Sequence, residues 1–251
     1  MRIDIISIFP DLVQHWFKQG VVGRALEKPD APASLHYWNP RDYSDDRHQR
    51  VDDRPFGGGP GMVMQYEPLA HTAAAINNEG EKPLHIYLSP QGTTFNHELA
   101  AVLAEKPRIA LWCGRYEGID QRFIDSHIDA EISIGDFVLS GGEMAAAIII
   151  DAVLRLIPGI LGDAASAAED SFQRKLLDHP HYTRPENIAK IRAPEILLSG
   201  NHVLIERWRM KQALGRTFLH RPDILNQLEL SDAQQKLLNE FLTEQHFGEP
   251  S

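Results

Sequence analysis

The stretch from residue 108 to residue 142, RIALWCGRYEGIDQRFIDSHIDAEISIGDFVLSGG, constrains the fold more than any other part of the chain. Two short apolar segments each break into a glycine-bearing loop, at 113–118 and at 134–137, and a third break at 140–142 precedes a long apolar segment. Glycine after a strand lets the backbone approach a ligand closely. Ligands of α/β proteins bind at the carboxyl ends of the strands. The pattern therefore predicts a binding pocket built from three loops.

Strands and helices alternate along the first two thirds of the chain. Apolar runs predict strands over residues 3–9, 84–88, 108–112 and 130–133. Amphipathic patterns predict helices over residues 12–17, 66–77, 96–104 and 116–126. This alternation indicates an α/β fold with a mostly parallel sheet, covered by helices on both faces. Residues 143–157 are apolar nearly all round, which predicts a buried helix or an oligomer interface.

The chain beyond residue 160 has a different character. We expect an α/β domain over residues 1–160, a linker over 161–171 and a smaller all-α domain over 172–251, with helices near 203–214 and 232–245 and no obvious strands. Residues 171–221 carry ten Lys and Arg against four Asp and Glu, a local balance of +6. Such a segment is either a solvated face or a surface for RNA.

Composition narrows the class of protein. The net charge of −10 argues against a uniformly basic nucleic-acid-binding surface. The one cysteine, Cys113, excludes an internal disulfide, fits a reducing compartment and is expected to be a packed thiol. With no signal-peptide pattern and no apolar run long enough to span a bilayer, we expect a soluble cytoplasmic protein. No GxGxxG follows the first strand, which disfavours a Rossmann-type dehydrogenase or methyltransferase.

Several motifs resemble one family, the bacterial tRNA (guanine-N(1)-)-methyltransferases of the SPOUT class. The motifs that carry the resemblance are LSPQG, CGRYEGIDQR, ISIGDFVLSGGE, EDSF, LLDHPHYTRP, GGGPGMVM and SGNHVLIERWR. They cover the chain to about residue 221, and the final thirty residues carry no comparable motif. At Phe137 the family more often has Tyr, which affects a hydroxyl contact near the cofactor. The resemblance implies a trefoil knot, which periodicity could not have suggested.

The resemblance further implies that the three loops bind S-adenosylmethionine, whose sulfonium cation suits a nearby carboxylate such as that of Glu117. The residues expected to contact this cofactor are Tyr87, Leu88, Ser89, Pro90, Gly114, Tyr116, Glu117, Ser133, Ile134, Gly135, Asp136, Phe137, Val138, Leu139, Gly141 and Gly142. The expected catalytic residues are Asp170, as the general base for the N(1) proton, and Arg155, which stabilises charge on O(6). The alternatives are an N-cap role for Asp170 near Phe172, and an ion pair of Arg155 with Asp151.

The implied substrate is tRNA, modified at the guanosine immediately 3′ of the anticodon and preceded by a guanosine. Residues expected to contact it are Gly59, His181, Arg184, Ser199, Trp208 and Arg209, and the polar loop over residues 42–61 would help to seat it. The family also implies a homodimer in which one subunit supplies the cofactor pocket and the other Asp170. We expect neither DNA nor a membrane as a partner.

Metal binding is not predicted at the two neighbouring histidines. His179 and His181 have no Cys or further His at ligand spacing, so we expect no metal site there and a role against RNA or the partner subunit instead. Whether magnesium assists the reaction is left open. A basic helical stripe with one aromatic, formed by Arg207, Trp208, Arg209, Lys211 and Arg216, suits phosphate contacts and base stacking, or a solvated helix anchored by Trp208.

Two other functions are compatible with the same fold. One is a catalytically silent RNA-binding or regulatory protein, which the retained motif residues disfavour. The other is methylation of ribosomal RNA or of a 2′-hydroxyl by another SPOUT member, which EDSF and HPHYTRP disfavour.

Overall fold

The computed structural model describes residues 1–162 and 170–246, and the chain divides into two compact units, Met1–Ala164 and Ala165–Ser251. The expected linker over 161–171 lies mostly outside the described residues, and the domain boundaries drawn from the sequence stay a prediction. Among the helices that the structure describes, none has both the length and the apolar character that a bilayer crossing requires.

The first unit is built on a parallel sheet, which confirms the α/β class predicted from the sequence. Its strands, in chain order, are β1 (Arg2–Ile6), β2 (Ser34–Trp38), the two-residue β3 (Asp52–Asp53) and β4 (Val63–Met64), β5 (Leu84–Thr94), β6 (Arg108–Cys113) and β7 (Ala130–Ser133). The large sheet has five strands in the order β2-β1-β6-β5-β7, all parallel, while β3 and β4 form a separate antiparallel pair. The helices are α1 (Pro10–Trp16), α2 (Gly20–Leu26), α3 (Tyr66–Asn78), α4 (His97–Ala104), α5 (Gln121–His127) and α6 (Glu143–Leu154).

The central strand β6 separates two hydrophobic cores. All six of its residues are buried. Ile109 and Leu111 point into a core with α1, α2, α4 and α6, whereas Ala110 and Trp112 point into a core with α3 and α5. This alternation follows from the two-residue period of a strand. A strand that is buried on both faces reads as a continuous apolar run, which is why the sequence pattern located it correctly.

A buried ionic network anchors the amino-terminal end of the sheet. Asp4 is fully buried and accepts hydrogen bonds from Arg108 Nε at 2.7 Å and from Trp38 Nε1 at 2.8 Å. Arg108 also donates to the carbonyl oxygens of Ile76 and Glu79, at the carboxyl end of α3. The Ile76 carbonyl also accepts from the Glu79 amide at 3.1 Å. One guanidinium therefore both compensates a buried carboxylate and adds to the cap of a helix.

Several sequence predictions in the first unit need correction. The predicted helix over 116–126 begins only at Gln121, because Tyr116 and Gly118 have φ of 59° and 123°, which no right-handed helix adopts. The strand expected to stop at Leu88 continues to Thr94, with a shift in its register against β7 between Leu88 and Thr93. Helix α2 and strand β2 were not predicted at all.

The second unit is mostly helical but contains a hairpin. Its elements are β8 (Asn187–Ile188), β9 (Ile191–Arg192), α7 (Glu195–Leu198), α8 (His202–His220), α9 (Pro222–Leu225) and α10 (Asp232–His246). The expectation of no strands is therefore wrong. The hairpin was missed because its turn residues, Ala189 and Lys190, are not the usual Asn-Gly, although both have positive φ, 50° and 68°. Helices α8 and α10 pack together around Leu214 and Phe241, and Gly215 leaves the space that the Phe241 ring fills.

Candidate active site

Residues 87–90 of β5, next to its register shift against β7, and the loops that follow β6 and β7 line one cleft in the first unit. Counted from β5, the loop after β6 (residues 114–118) is the second loop of the cleft and the loop after β7 (residues 134–142) is the third. Every residue that the sequence nominated for the cofactor lines this cleft except Asp136, which is exposed beside it. Lining residues that the sequence reasoning did not nominate are Arg115, Gly118, Ile132 and Ala145. Because adjacent parallel strands end at one edge of the sheet, glycine-broken loops that are distant in sequence meet here.

Close backbone packing explains the glycines at the cleft walls. A Cβ on Gly142 would lie 2.8 Å from the Cα of Cys113, and a Cβ on Gly114 would lie 2.9 Å from the Tyr87 ring. The Gly142 amide donates a hydrogen bond to the Gly114 carbonyl at 3.0 Å, so the second and third loops touch through their main chains. A larger residue at Gly142 would push the second and third loops apart, and one at Gly114 would push the second loop away from Tyr87 of β5.

The cleft combines an apolar lining with a few charges. Among the described residues that line it, the charged ones are Arg115 and Glu117. Its third loop exposes Phe137 and Val138, the latter 86% exposed. Burial raises the pKa of the Tyr87 hydroxyl, and burial raises the pKa of the Cys113 thiol well above its usual value. Cys113 is thus an inert packed thiol, as the sequence analysis expected, and does not act as a nucleophile at neutral pH.

The segment GGGPGMVM, residues 57–64, which we call the glycine-rich loop, is hydrogen-bonded to the second loop of the cleft. The Glu117 amide donates to the Met62 carbonyl at 3.0 Å, and the Met64 amide donates to the Gly118 carbonyl at 3.0 Å. Gly61, with φ of 82°, lies so close to Glu117 that a Cβ would overlap its side chain. Gly59, nominated for RNA, has φ of 121° and open space around it. The carboxyl end of the loop expected to seat RNA is therefore joined to the second loop of the cleft by main-chain hydrogen bonds.

The two nominated catalytic residues lie in different units. Arg155 is the C-cap residue of α6, and its amide donates to the Asp151 carbonyl at 3.1 Å. Asp170 is half-buried and lines a small cavity in the second unit together with Arg174, His179 and Arg209. The residues after Asp170 form a turn rather than a helix, and Phe172 has φ of 74°. An N-cap role for Asp170 near Phe172 is therefore ruled out.

The structure groups His179 and His181 around a residue that the sequence analysis did not consider. Nδ1 of His179 lies 2.6 Å from one carboxylate oxygen of Asp178, and Nε2 of His181 lies 2.8 Å from the other. Burial opposes ionisation of Asp178, but the hydrogen bonds from His181 and His179 outweigh it and lower the pKa of the carboxyl. Both carboxylate oxygens accept from an imidazole, and the candidate metal-ligand atoms of the three residues all lie within 4.8 Å of one another. The sequence argument against a metal site here overlooked Asp178 as a third ligand.

The other nominated substrate contacts lie on the surface of the second unit. Trp208 packs against the rings of His179 and Tyr182, each at 6.3 Å between centroids. Arg184 and Ser199 are exposed, and Arg209 lines the same cavity as Asp170.

Two of the basic residues of the α8 stripe form ion pairs with the neighbouring helix α10. Arg207 and Lys211 pair with Glu240 and Glu244 of α10, through contacts of 2.6 and 2.7 Å. These partners lie in the final thirty residues, so no motif in the resembling region could have indicated the pairing.

Comparison with known proteins agrees with this geometry. Residues 1–227 match the family model described as tRNA (Guanine-1)-methyltransferase TrmD, and the chain belongs to this family. Among curated relatives, a protein of Halorhodospira halophila named tRNA (guanine-N(1)-)-methyltransferase is 53% identical over 244 residues, covering 97% of this chain and 92% of the relative. A protein of the same name from Xylella fastidiosa is 54% identical over 243 residues, covering 96% and 92%.

Proposed function

We propose that this protein transfers a methyl group from S-adenosylmethionine to N(1) of the guanosine immediately 3′ of the anticodon in tRNA. The observation that carries the proposal is the cleft formed by residues 87–90 of β5 and the loops after β6 and β7, whose lining includes all the nominated cofactor residues but Asp136. Family membership and the names of close relatives support the same reaction. A tRNA-modifying enzyme of this kind would act in the cytoplasm.

The cleft suits S-adenosylmethionine in shape and charge. Glycine at positions 114 and 142 lets the cleft walls pack closely against Tyr87 and Cys113, which keeps the slot narrow enough for a flat adenine ring. Glu117 offers a carboxylate to a cationic ligand, and the apolar third loop offers a slot for a base. When bound, the cofactor supplies an electrophilic methyl group. The SPOUT knot implied by the resemblance belongs to this proposal, and the Gly142–Gly114 backbone contact supports it.

The proposed chemistry needs one base and one cation. Asp170 would accept the N(1) proton of the guanine, and Arg155 would stabilise the negative charge that develops on O(6). An ordinary aspartate is a weak base, so the two groups must act together. Asp170→Asn is expected to lower methyl transfer by about 10²–10⁴-fold while calorimetry still detects cofactor binding. A near-normal rate in this variant would contradict the role of Asp170.

We further propose that the active site is shared between two copies of the chain. One face of α6 is buried in the core, whereas Met144 and Ile148 on another face are 52% and 48% exposed. Leu12 and Trp16 on the neighbouring α1 are also exposed, 56% and 58%. An exposed apolar surface of this kind fits a second copy of the same chain.

Subunit mixing tests the shared site. Two variant proteins are prepared separately and then mixed: Asp170→Asn, which lacks the base, and Gly114→Val, whose added side chain is expected to block the cleft. Each homodimer is inactive for a different reason. In a shared-site dimer, a heterodimer has one intact site, and random exchange restores about a quarter of the normal activity. No recovery after verified exchange would place Asp170 and the cleft of one active site in the same chain.

The substrate is tested with labelled cofactor. Transcripts of tRNA with guanosine or adenosine at the target position should differ completely in methyl uptake. Cofactor binding without any methyl transfer would instead favour a catalytically silent RNA-binding protein. A parallel series with magnesium removed by chelation measures whether the reaction needs this ion.

A further inference from the structure

A buried ion pair lies directly behind the cleft. Glu143, the first residue of α6, is 2% exposed. Its carboxylate accepts hydrogen bonds from Arg115 Nε, at 2.9 and 3.1 Å to the two oxygens, and from the Ser7 hydroxyl at 2.5 Å. A carboxylate this deeply buried is stable only with such partners, since the loss of one leaves an uncompensated charge.

The Arg115 side chain connects the loops that form the cleft. It starts from the second loop, and its Nη1 donates to the Ser140 carbonyl of the third loop at 3.2 Å. Its guanidinium carbon lies 4.9 Å from the centre of the Phe9 ring, next to the end of β1. A Cβ on Gly141 would overlap this side chain. One side chain therefore joins β1, two cleft loops and the start of α6.

The third loop depends on this connection. Phe137, Val138 and Leu139 are exposed, so packing contributes little to holding the loop in place. Its far end is held by the bond from Arg115 to Ser140 and by the main-chain bond from Gly142 to Gly114. The first of these bonds depends on the guanidinium, whose orientation is set by Glu143.

We propose that Arg115 and Glu143 are a positioning pair that sets the gap between the second and third loops and thereby the affinity for S-adenosylmethionine. This inference rests on the proposed function of the cleft. Arg115 also lines the cleft, so the competing explanation is a direct contact with the carboxylate of the cofactor. The two explanations differ in what they predict for a ligand that lacks this carboxylate.

The test measures binding of two ligands by calorimetry. S-adenosylmethionine carries an amino-acid tail, whereas 5′-methylthioadenosine keeps the adenosine and the sulfur but has no carboxylate. In Arg115→Lys, which keeps a positive charge beside Glu143 but loses the fork to Ser140, both dissociation constants should rise by the same factor, about tenfold. Glu143→Gln should act in the same direction. The double variant should bind no more weakly than the worse single variant, because the two residues act as one unit.

Two controls separate positioning from a general loss of stability. Ile76→Val removes one methylene group from the core beneath α3 and should leave both affinities unchanged. Ser7→Ala removes a single hydrogen bond to Glu143, and should shift both affinities in the same direction by a smaller factor even if Glu143→Gln does not fold. Hydrogen exchange at residues 134–142 should quicken in Arg115→Lys.

Each outcome has a defined meaning. Weaker binding of S-adenosylmethionine alone would show a direct carboxylate contact and overturn the positioning role. Unchanged binding of both ligands in folded Arg115→Lys and Ser7→Ala would overturn it as well. If the wild-type protein binds neither ligand, the proposed function fails together with this inference.

Discussion

The most quantitative prediction concerns His85, a buried histidine in β5 that is held in its neutral form. Trp112 Nε1 donates a hydrogen bond to His85 Nδ1 at 3.0 Å, so this nitrogen carries no proton. The other ring nitrogen lies 3.0 Å from the Asn77 side-chain oxygen, to which its N–H donates. Burial lowers the pKa of His85 from 6.5 to about 4. A second proton would break the bond from Trp112.

The sign and size of the effect follow from proton linkage. Above pH 6.5 the histidine is neutral in the folded and unfolded chain, and its contribution to stability is fully present. As the pH falls from 6.5 towards 4, the unfolded chain binds a proton that the folded chain does not, so folding weakens. The pKa difference corresponds to about 3 kcal/mol at the acid limit, of which about 2 kcal/mol is lost between pH 7 and pH 5.

The assay is urea unfolding at pH 7 and pH 5, followed by tryptophan fluorescence, in the wild type and in His85→Gln. Glutamine can accept from Trp112 and donate to Asn77 without titrating. The wild type should lose about 2 kcal/mol more than the variant over this range, since all other titrating groups are common to both proteins. An equal pH dependence in the two proteins would refute the assignment of a neutral buried His85.

Three further predictions follow from backbone geometry and surface charge. Gly142→Ala places a Cβ 2.8 Å from a neighbouring backbone atom, so it should cost about 1–3 kcal/mol of stability by urea unfolding and weaken cofactor binding by calorimetry. Replacing Ala189 and Lys190 by Asn-Gly should stabilise the second unit by about 1 kcal/mol, seen as a higher melting temperature, because both residues have positive φ. Arg207→Gln should leave the salt dependence of tRNA binding nearly unchanged, because Glu240 already engages this guanidinium, whereas loss of a true phosphate contact would lower the slope by about 0.7–0.9.

The sequence predicted the parts of the fold that depend on local pattern. Apolar runs located β1, β6 and the first half of β5, because strands that are buried on both faces read as nearly continuous apolar segments. The short strand β7 is polar at two of its four positions but was also located. It missed β2, whose residues are mostly half-buried, and α2, which is short and begins at a glycine. It extended the fifth helix back to Tyr116, because nothing in a residue type reveals that a tyrosine will adopt positive φ.

The sequence predicted which residues line the cleft, but not which residues they bind. Glycine-broken loops and motif resemblance nominated the residues that line the cleft. The partners of those residues were out of reach, because Ser7 and Glu143 are 136 positions apart and meet only through the parallel sheet. The same limit applies to the helix that engages Arg207, since the acidic partner comes from a segment without recognisable motifs.

The main-chain hydrogen bonds between the glycine-rich loop and the second loop of the cleft have a consequence for inhibitor design. Main-chain bonds join Met62 and Met64 to Glu117 and Gly118, and such bonds persist through every substitution except one to proline at the donor. A compound that enters the cleft and forces Glu117 outward must therefore drag the neighbouring loop with it, and would distort a surface it never touches. Substitution of the glycines in that loop would not relieve the distortion at low cost, because Gly57, Gly58, Gly59 and Gly61 all have positive φ, which strains any other residue.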